Sequence, residues 1–283
     1  FDRLDFSRIC SHKDHETPDQ PVVCPFGFWG LRYVIERHAS LPLDREQILG
    51  DFVLQAEPSE KRRTLALAGN ALLGVSAQVE NEQEQPGATS ALLSGIRKLC
   101  PIPIALIPNW QDWTRQVENL QPSLIITLPH AEEKTQFGVT DYFLEIGGEL
   151  KKARVIGESA AHYVIARDGA PSPLVLLLGC NTTVPKTPID SIAAHFRRGG
   201  AGIVVSTVGS VLGSHASKVA RELLEALFKE AAIKPRPLGE LLRDVRRRCL
   251  GKKVIMALCI GAYGDADWQV HVAESAGKSD VPY

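Results

Sequence analysis

The chain has almost no net charge: 32 Lys and Arg face 33 Asp and Glu, leaving −1 at pH 7 with the histidines neutral. No overall field gathers nucleic acid or anionic lipid, so any partner must be recognised locally. No apolar stretch reaches the roughly 18 residues that span a bilayer, and the opening FDRLDFSRIC is too charged for a signal peptide. The cysteines, at positions 10, 24, 100, 180, 249 and 259, lack the dense spacing of a secreted disulfide scaffold. Several lie inside apolar runs, which points to a reducing cytoplasm. Neither G-x-G-x-x-G nor the P-loop pattern occurs, and Gly199-Gly200-Ala201-Gly202 precedes a strand instead of opening a helix, so no nucleotide cofactor is expected. G-x-S-x-G is absent too, which argues against a serine hydrolase of the α/β class. Cys10, His12, His15 and Cys24 have zinc-ligand chemistry, but C-x-H-x2-H-x8-C fits no common tetrahedral pattern, so no metal is expected either.

What is present is a globular composition, 44% hydrophobic and 23% charged over 283 residues. A chain of this size buries roughly three quarters of its unfolded surface. Six apolar runs have strand character: 64–69, 102–107, 123–129, 174–179, 202–209 and 254–261. The gaps between them are long enough for crossovers, so a mainly parallel sheet is the economical arrangement. Helix signals fill those gaps. Thr187-Pro188-Ile189-Asp190 starts one, with Thr187 as N-cap, Pro188 at the first helical position and Gly199-Gly200 closing it. Helices are also expected over 214–232 and 238–249, the second with Arg243, Arg246, Arg247 and Arg248 on a solvated face opposite Leu238, Leu241, Leu242 and Val245. Asp141–Gly148 and the later HYVIA are expected to form a small antiparallel hairpin inserted beside the sheet. Glu80–Gly87 is a polar loop. Residues 1–58 stand outside the strand pattern and are taken as an extension packed on a domain of residues 59–283, with Phe28, Leu31, Val34 and Ile35 facing inward. The chain opens on Phe1 and stops at Tyr283, so it is expected to be cut from a longer protein.

Two of the apolar runs end in reactive residues. LIITLPH ends at His130, and LVLLLGC ends at Cys180, fifty positions later. Taken singly, each has a bland reading: a cysteine after a strand packs as a small hydrophobe, and a loop histidine is commonly just hydrogen-bonded. Taken together they describe one place. In an open α/β sheet, function collects at the carboxyl ends of the strands, and neighbouring strands lie about 4.8 Å apart. A thiol and an imidazole presented there form a nucleophile and its base.

On these residues the chain resembles the caspase-like cysteine peptidases of clan CD, and among them the CHAT peptidases, caspase-related domains often fused to TPR repeats in prokaryotes. The resemblance runs from about residue 60 to 270 and rests on the order of short motifs: His130, then Cys180, then IDSIAAHFRRGGAGIVVSTVG (189–209), then ALCIGAYGD (257–265). Two small departures stand out, Ala131 where the family usually has glycine and Gly179 where alanine is common. The resemblance implies a three-layer α/β fold of caspase-like topology, with a six-stranded mainly parallel sheet, helices on both faces and the small inserted hairpin. It implies a cysteine endopeptidase in which Cys180 attacks, His130 protonates the leaving amine, and the backbone N–H groups of Cys180 and Ala131 hold the oxyanion. The pocket for the residue before the cut would be lined by Asn70, Leu178, Thr207 and Val208, none cationic, so cleavage after aspartate is not expected unless Arg197 or Arg198 reaches it. No cofactor is implied. The partners would be a protein substrate, for example a gasdermin-like precursor in a regulated prokaryotic defence or stress pathway, and sensor or repeat domains upstream in the same polypeptide or complex, with no nucleic acid or membrane bound directly. The rival reading is a catalytically silent caspase-like domain serving as an interaction scaffold; the intact Cys and His favour the enzyme.

Overall fold

The computed structural model describes residues 5–9, 22–23, 31, 33–34, 64–78, 88–136, 139–158, 165, 172–179, 192–207, 213–264 and 267–272. The expectations for Cys10, His12, His15, Cys24, Phe28, Ile35, Glu80–Gly87, Thr187–Asp190, Cys180 and Val208 lie outside these residues.

A short parallel pair, β1 (Asp5–Ile9) with β2 (Val22–Val23), comes first. Next in the described chain are β3 (Thr64–Leu67), β4 (Ala71–Val75), α1 (Ala88–Leu99), β5 (Ile104–Ile107), α2 (Trp110–Leu120) and β6 (Leu124–Leu128). Three strands, β7 (His130–Gln136), β8 (Val139–Ile146) and β9 (Glu149–Lys152), then lead to α3 (Ala153–Glu158), β10 (Leu174–Leu177), α4 (Ile192–Arg198) and β11 (Ile203–Thr207). The last part holds α5 (Gly213–Glu225), β12 (Arg236–Pro237), α6 (Leu238–Gly251), β13 (Ile260–Tyr263) and β14 (Gln269–Val272).

The main sheet has six strands in the order β13-β11-β10-β6-β4-β5. All run parallel except β13, which is antiparallel to β11. Burial on both faces explains the unbroken apolar runs, since every residue of β4, β6, β10 and β11 is buried. Alternate side chains divide between two cores. Leu73, Ile126, Leu176 and Val205 meet Ile96 of α1, Leu223 and Leu224 of α5, and Leu241 and Val245 of α6. Leu72, Ile125, Val175 and Val204 meet Trp113 and Val117 of α2, Ile156 of α3 and Phe196 of α4. The result is helix, sheet, helix, each fully buried Leu, Ile or Phe contributing about 1.5–3 kcal/mol.

Several expectations shift. The run 64–69 makes a strand, but β3 belongs to a separate three-stranded sheet with β14 and β12, and the first strand of the main sheet is β4. In the run 254–261 the first part, Ile255–Cys259, coils into a 3₁₀ turn, and the strand follows at Ile260. The run 102–107 becomes a strand only from Ile104, after Pro101 and Pro103, which have no N–H to give a ladder. Asp141–Gly148 is antiparallel as expected, with β8 paired to β7 along its length on one side and to β9 over Phe143–Ile146 on the other; of HYVIA only Ile165 is among the described residues. Val34 is 38% exposed, not inward, whereas Leu31 is buried and its carbonyl accepts Arg247 Nε at 2.7 Å. Arg246 is no part of a solvated face: it is 5% exposed and donates Nε and Nη2 to the Ile260 carbonyl at 3.1 and 2.7 Å.

Candidate active site

Strands β4, β6, β10 and β11 run in one direction, so their C-terminal ends, at Ser76, Pro129, Leu178 and Thr207, form one edge. The register between β6 and β10 is constant, Leu174↔Leu124 through Leu177↔Thr127, an offset of fifty. It is the same interval that separates His130 from Cys180 in the sequence. Leu178 N–H donates to the Thr127 carbonyl at 2.9 Å, so the two chains are still paired at the edge.

Beyond that row the two backbones press together. A Cβ built on Gly179 would stand 2.1 Å from the Pro129 carbonyl oxygen and 2.9 Å from Pro129 Cδ. No real Cβ tolerates such a contact, so glycine is required at this position. Pro129 immediately precedes His130, and Gly179 immediately precedes Cys180. Thr207, fully buried at the end of β11, donates its hydroxyl to the Gly179 carbonyl and ties a third strand to the same spot.

His130 is half-buried and opens β7, the first strand of the antiparallel ribbon. Its register partner across the ladder is Glu145, followed by Ala131 opposite Leu144. Ala131 and Leu144 face the core under α2, and Trp110 Nε1 donates to the Leu144 carbonyl at 3.0 Å. The ribbon is therefore anchored by an apolar face, not only by its connection to β6. The β8–β9 turn is Gly147-Gly148 with φ of 58 and 87, the left-handed pair a two-residue hairpin needs. Gly147 also approaches Pro108 so closely that a Cβ would lie 1.6 Å from its carbonyl oxygen.

The expected pocket residues do not share one place. Leu178 and Thr207 are at the C-terminal edge, both fully buried. Asn70 precedes β4 at the opposite edge, where its carbonyl accepts Ser123 N–H at 3.0 Å and its Nδ2 donates to the Leu120 carbonyl at 3.2 Å. The misplacement follows from reading 64–69 as the first sheet strand. Arg197 is at that opposite edge as well, donating Nη1 to the Ala201 carbonyl ahead of β11 at 2.9 Å. Sequence reasoning missed Ser76 and Glu145: Glu145 is 4% exposed, and its carboxylate accepts from the Ser76 hydroxyl, from Ala77 N–H at 3.1 Å and from Gly148 N–H.

Two of the described thiols, Cys100 and Cys249, are buried and unlike a nucleophile. Burial pushes Cys100 up to about 11, and burial together with the Glu222 carboxylate pushes Cys249 up to about 12. Both stay protonated near neutrality. Among the described residues no cluster of His, Cys, Asp and Glu could hold a metal ion, and no helix is long and apolar enough to cross a membrane.

No protein-family model matches the chain. A curated relative from Vitiosangium sp. (strain GDMCC 1.1324), named a probable protease, is 25% identical over 288 aligned positions, covering 98% of this chain and 35% of that protein. This chain thus spans about a third of the relative's length. Among solved structures, a chain of the Saccharomyces cerevisiae separase–securin complex is similar at TM-score 0.48 and 12% identity, over 75% of this chain and 13% of that one. Caspase-1 from Spodoptera frugiperda is similar at TM-score 0.43 and 14% identity, over 85% of this chain and 99% of that one.

Proposed function

We propose that residues 59–283, with the extension 1–58, form a caspase-like cysteine endopeptidase whose dyad is His130 and Cys180. The observation that carries this reading is the constant offset of fifty between β6 and β10, together with the close approach of Pro129 to Gly179, the residues just before the pair. The relative's name, a probable protease, agrees with it.

In this mechanism the Cys180 thiolate attacks the scissile carbonyl and the oxyanion is held by the backbone N–H groups of Cys180 and Ala131. His130 gives its proton to the departing amine, and water then releases the acyl group from sulfur. One oxyanion donor contributes about 10²–10³ in rate. The substrate is a specific protein, for example a gasdermin-like precursor, cut in a regulated prokaryotic defence or stress pathway. The setting is the cytoplasm. The CHAT resemblance supports control by upstream sensor or repeat domains.

The first specificity pocket is expected at the C-terminal edge by Leu178 and Thr207, with Asn70 at the opposite edge; Val208 lies outside the described residues. Leu178 and Thr207 carry no charge, and the Thr207 hydroxyl is engaged by Gly179. Arg246 reaches the Ile260 carbonyl, in the same row as Thr207, but commits Nε and Nη2 to it. Among the described residues none releases a counter-charge to meet an aspartate side chain here, and an unpaired one would cost several kcal/mol. The enzyme is therefore expected to cut after apolar or basic residues. Profiling a peptide library with the active protein tests this, with Cys180→Ala as the blank. Dominant cleavage after Asp would overturn the pocket and point to Arg246, while cleavage that survives Cys180→Ala would overturn Cys180 as the nucleophile.

A further inference from the structure

Glu145 stands out as a carboxylate almost wholly withdrawn from water at the edge of the sheet. Its three hydrogen bonds come from two different pieces of chain. Ser76 Oγ donates to Oε2, and Ala77 N–H, at 3.1 Å, donates to Oε1; both donors lie just past the end of β4. Gly148 N–H, from the turn after β8, donates to Oε1 as well. The same junction is closed by Gly147 N–H on the Val75 carbonyl at 3.0 Å. Ser76 is itself held in place: its N–H donates to the Leu128 carbonyl at 2.9 Å, and its Oγ accepts Gln78 N–H at 3.0 Å.

A buried carboxylate is tolerated only when donors replace its lost water, and this one has donors from the sheet edge on one side and from its own ribbon on the other. It therefore fastens the ribbon to the sheet. Directly opposite Glu145 on the ladder is His130. Side chains of directly opposed residues share a face, with Cβ atoms about 4.5–5.5 Å apart.

We propose that Glu145 is a positioning residue for His130: its carboxylate locks the β7–β8 ribbon onto the end of β4 in the orientation that aims the imidazole at the Gly179 end of β10. This rests on the reading of His130 as the acid–base residue. Glu145 acts through the ribbon, its two carboxylate oxygens accepting from Ser76, Ala77 and Gly148. The removal of the carboxylate should loosen the ladder locally and misdirect the imidazole, lowering kcat and leaving KM nearly alone.

The test compares Glu145→Leu, Glu145→Gln and Ser76→Ala with wild type in two measurements. The first is amide hydrogen exchange over residues 130–136 and 139–146, which needs no substrate. The second is kcat and KM on a peptide that wild type cleaves, beside a thermal melt. Glu145→Leu is expected to speed exchange in the ladder at least tenfold and to cut kcat at least tenfold with KM within threefold. Glu145→Gln keeps an oxygen for the two amides and should recover most of both, and Ser76→Ala, which removes a single donor, should fall between. Where Glu145→Leu fails to fold, the graded Ser76→Ala effect decides. Ladder exchange unchanged in both Glu145→Leu and Ser76→Ala would overturn the clasp, and faster exchange with unchanged kcat would overturn its role toward His130. Cleavage persisting in Cys180→Ala would instead overturn the His130–Cys180 dyad, and the exchange measurement would still judge the clasp.

Discussion

Gly179 carries much of the site's geometry by having no side chain. Its backbone and that of Pro129 touch so closely that an added methyl meets the Pro129 carbonyl oxygen at 2.1 Å, and backbone on both sides leaves little to give way. Gly179→Ala should therefore cost about 1–3 kcal/mol of stability through overpacking. Pro129 would be pushed together with His130, and a displacement near 1 Å in a catalytic group costs on the order of 10²-fold in rate. A thermal melt with a parallel kcat measurement checks both; an alanine variant with wild-type kcat would show that the two loops do not constrain each other. In sequence Gly179 looks interchangeable with the alanine common in similar chains, because the proximity of Pro129 is a tertiary fact. Glu145 was illegible for the same reason: in DYFLEI it alternates with Tyr142, Leu144 and Ile146 and reads as a solvent-facing position, and only the packing of β8 on Ser76 buries it. The thiols separate by environment. Iodoacetamide at neutral pH is expected to modify Cys180 in the active protein before Cys100 and Cys249, whose thiols are held protonated by burial at about 11 and about 12. Peptide mapping reads the order, and earlier labelling of Cys100 or Cys249 would contradict it.

Among the elements, α6 shows how a basic helix face can be misread. Arg243, Arg246, Arg247 and Arg248 follow Leu238, Leu241, Leu242 and Val245 at spacings that suggest a solvated stripe, yet the four do different work. Arg248 pairs with Glu230 at 2.6 Å, Arg243 reaches Asp244 at 3.4 Å, and Arg247 reaches both Asp244 and the Leu31 carbonyl. Arg246 alone is buried and holds β13 by the Ile260 carbonyl, at the row where β13 pairs with Thr207. Arg246→Met should lose about 2–3 kcal/mol, the worth of charged hydrogen bonds to a carbonyl then left without them. Arg243→Met, on a partly exposed pair, should change stability by less than about 1 kcal/mol. Urea unfolding of both variants compares them, and equal effects would mean that the Ile260 contact adds nothing. Periodicity reveals which face of α6 is apolar but not how deep its other face sinks. The strands divide likewise. Thr64–Leu67 alternates exposed and buried, the mark of a half-covered strand, while Ala71–Val75 is buried throughout, the mark of a central one. That contrast, visible as TLAL against ALLGV, is the signal that would have put β4 in the sheet. The Gly147-Gly148 pair that follows FLEI likewise marks the β8–β9 turn.

For the whole molecule, the legible part was the parallel sheet, because strands buried on both faces must be apolar without interruption and the long gaps between them leave room for helices. The shared C-terminal edge of these strands was legible too, since it follows from strand direction alone. What required tertiary structure was the arrangement at that edge: which strand comes first, where the ribbon returns, and which polar groups hold it. The central claim is that one edge presents His130 and Cys180 as a unit that cuts peptide bonds. Its most direct measurement is the cleavage rate of a susceptible protein by wild type, Cys180→Ala and His130→Ala, each with a thermal melt beside it. The account predicts that both variants melt within a few degrees of wild type and that both lose essentially all activity together, as members of one catalytic unit do. More than a tenth of wild-type activity in either folded variant would contradict it.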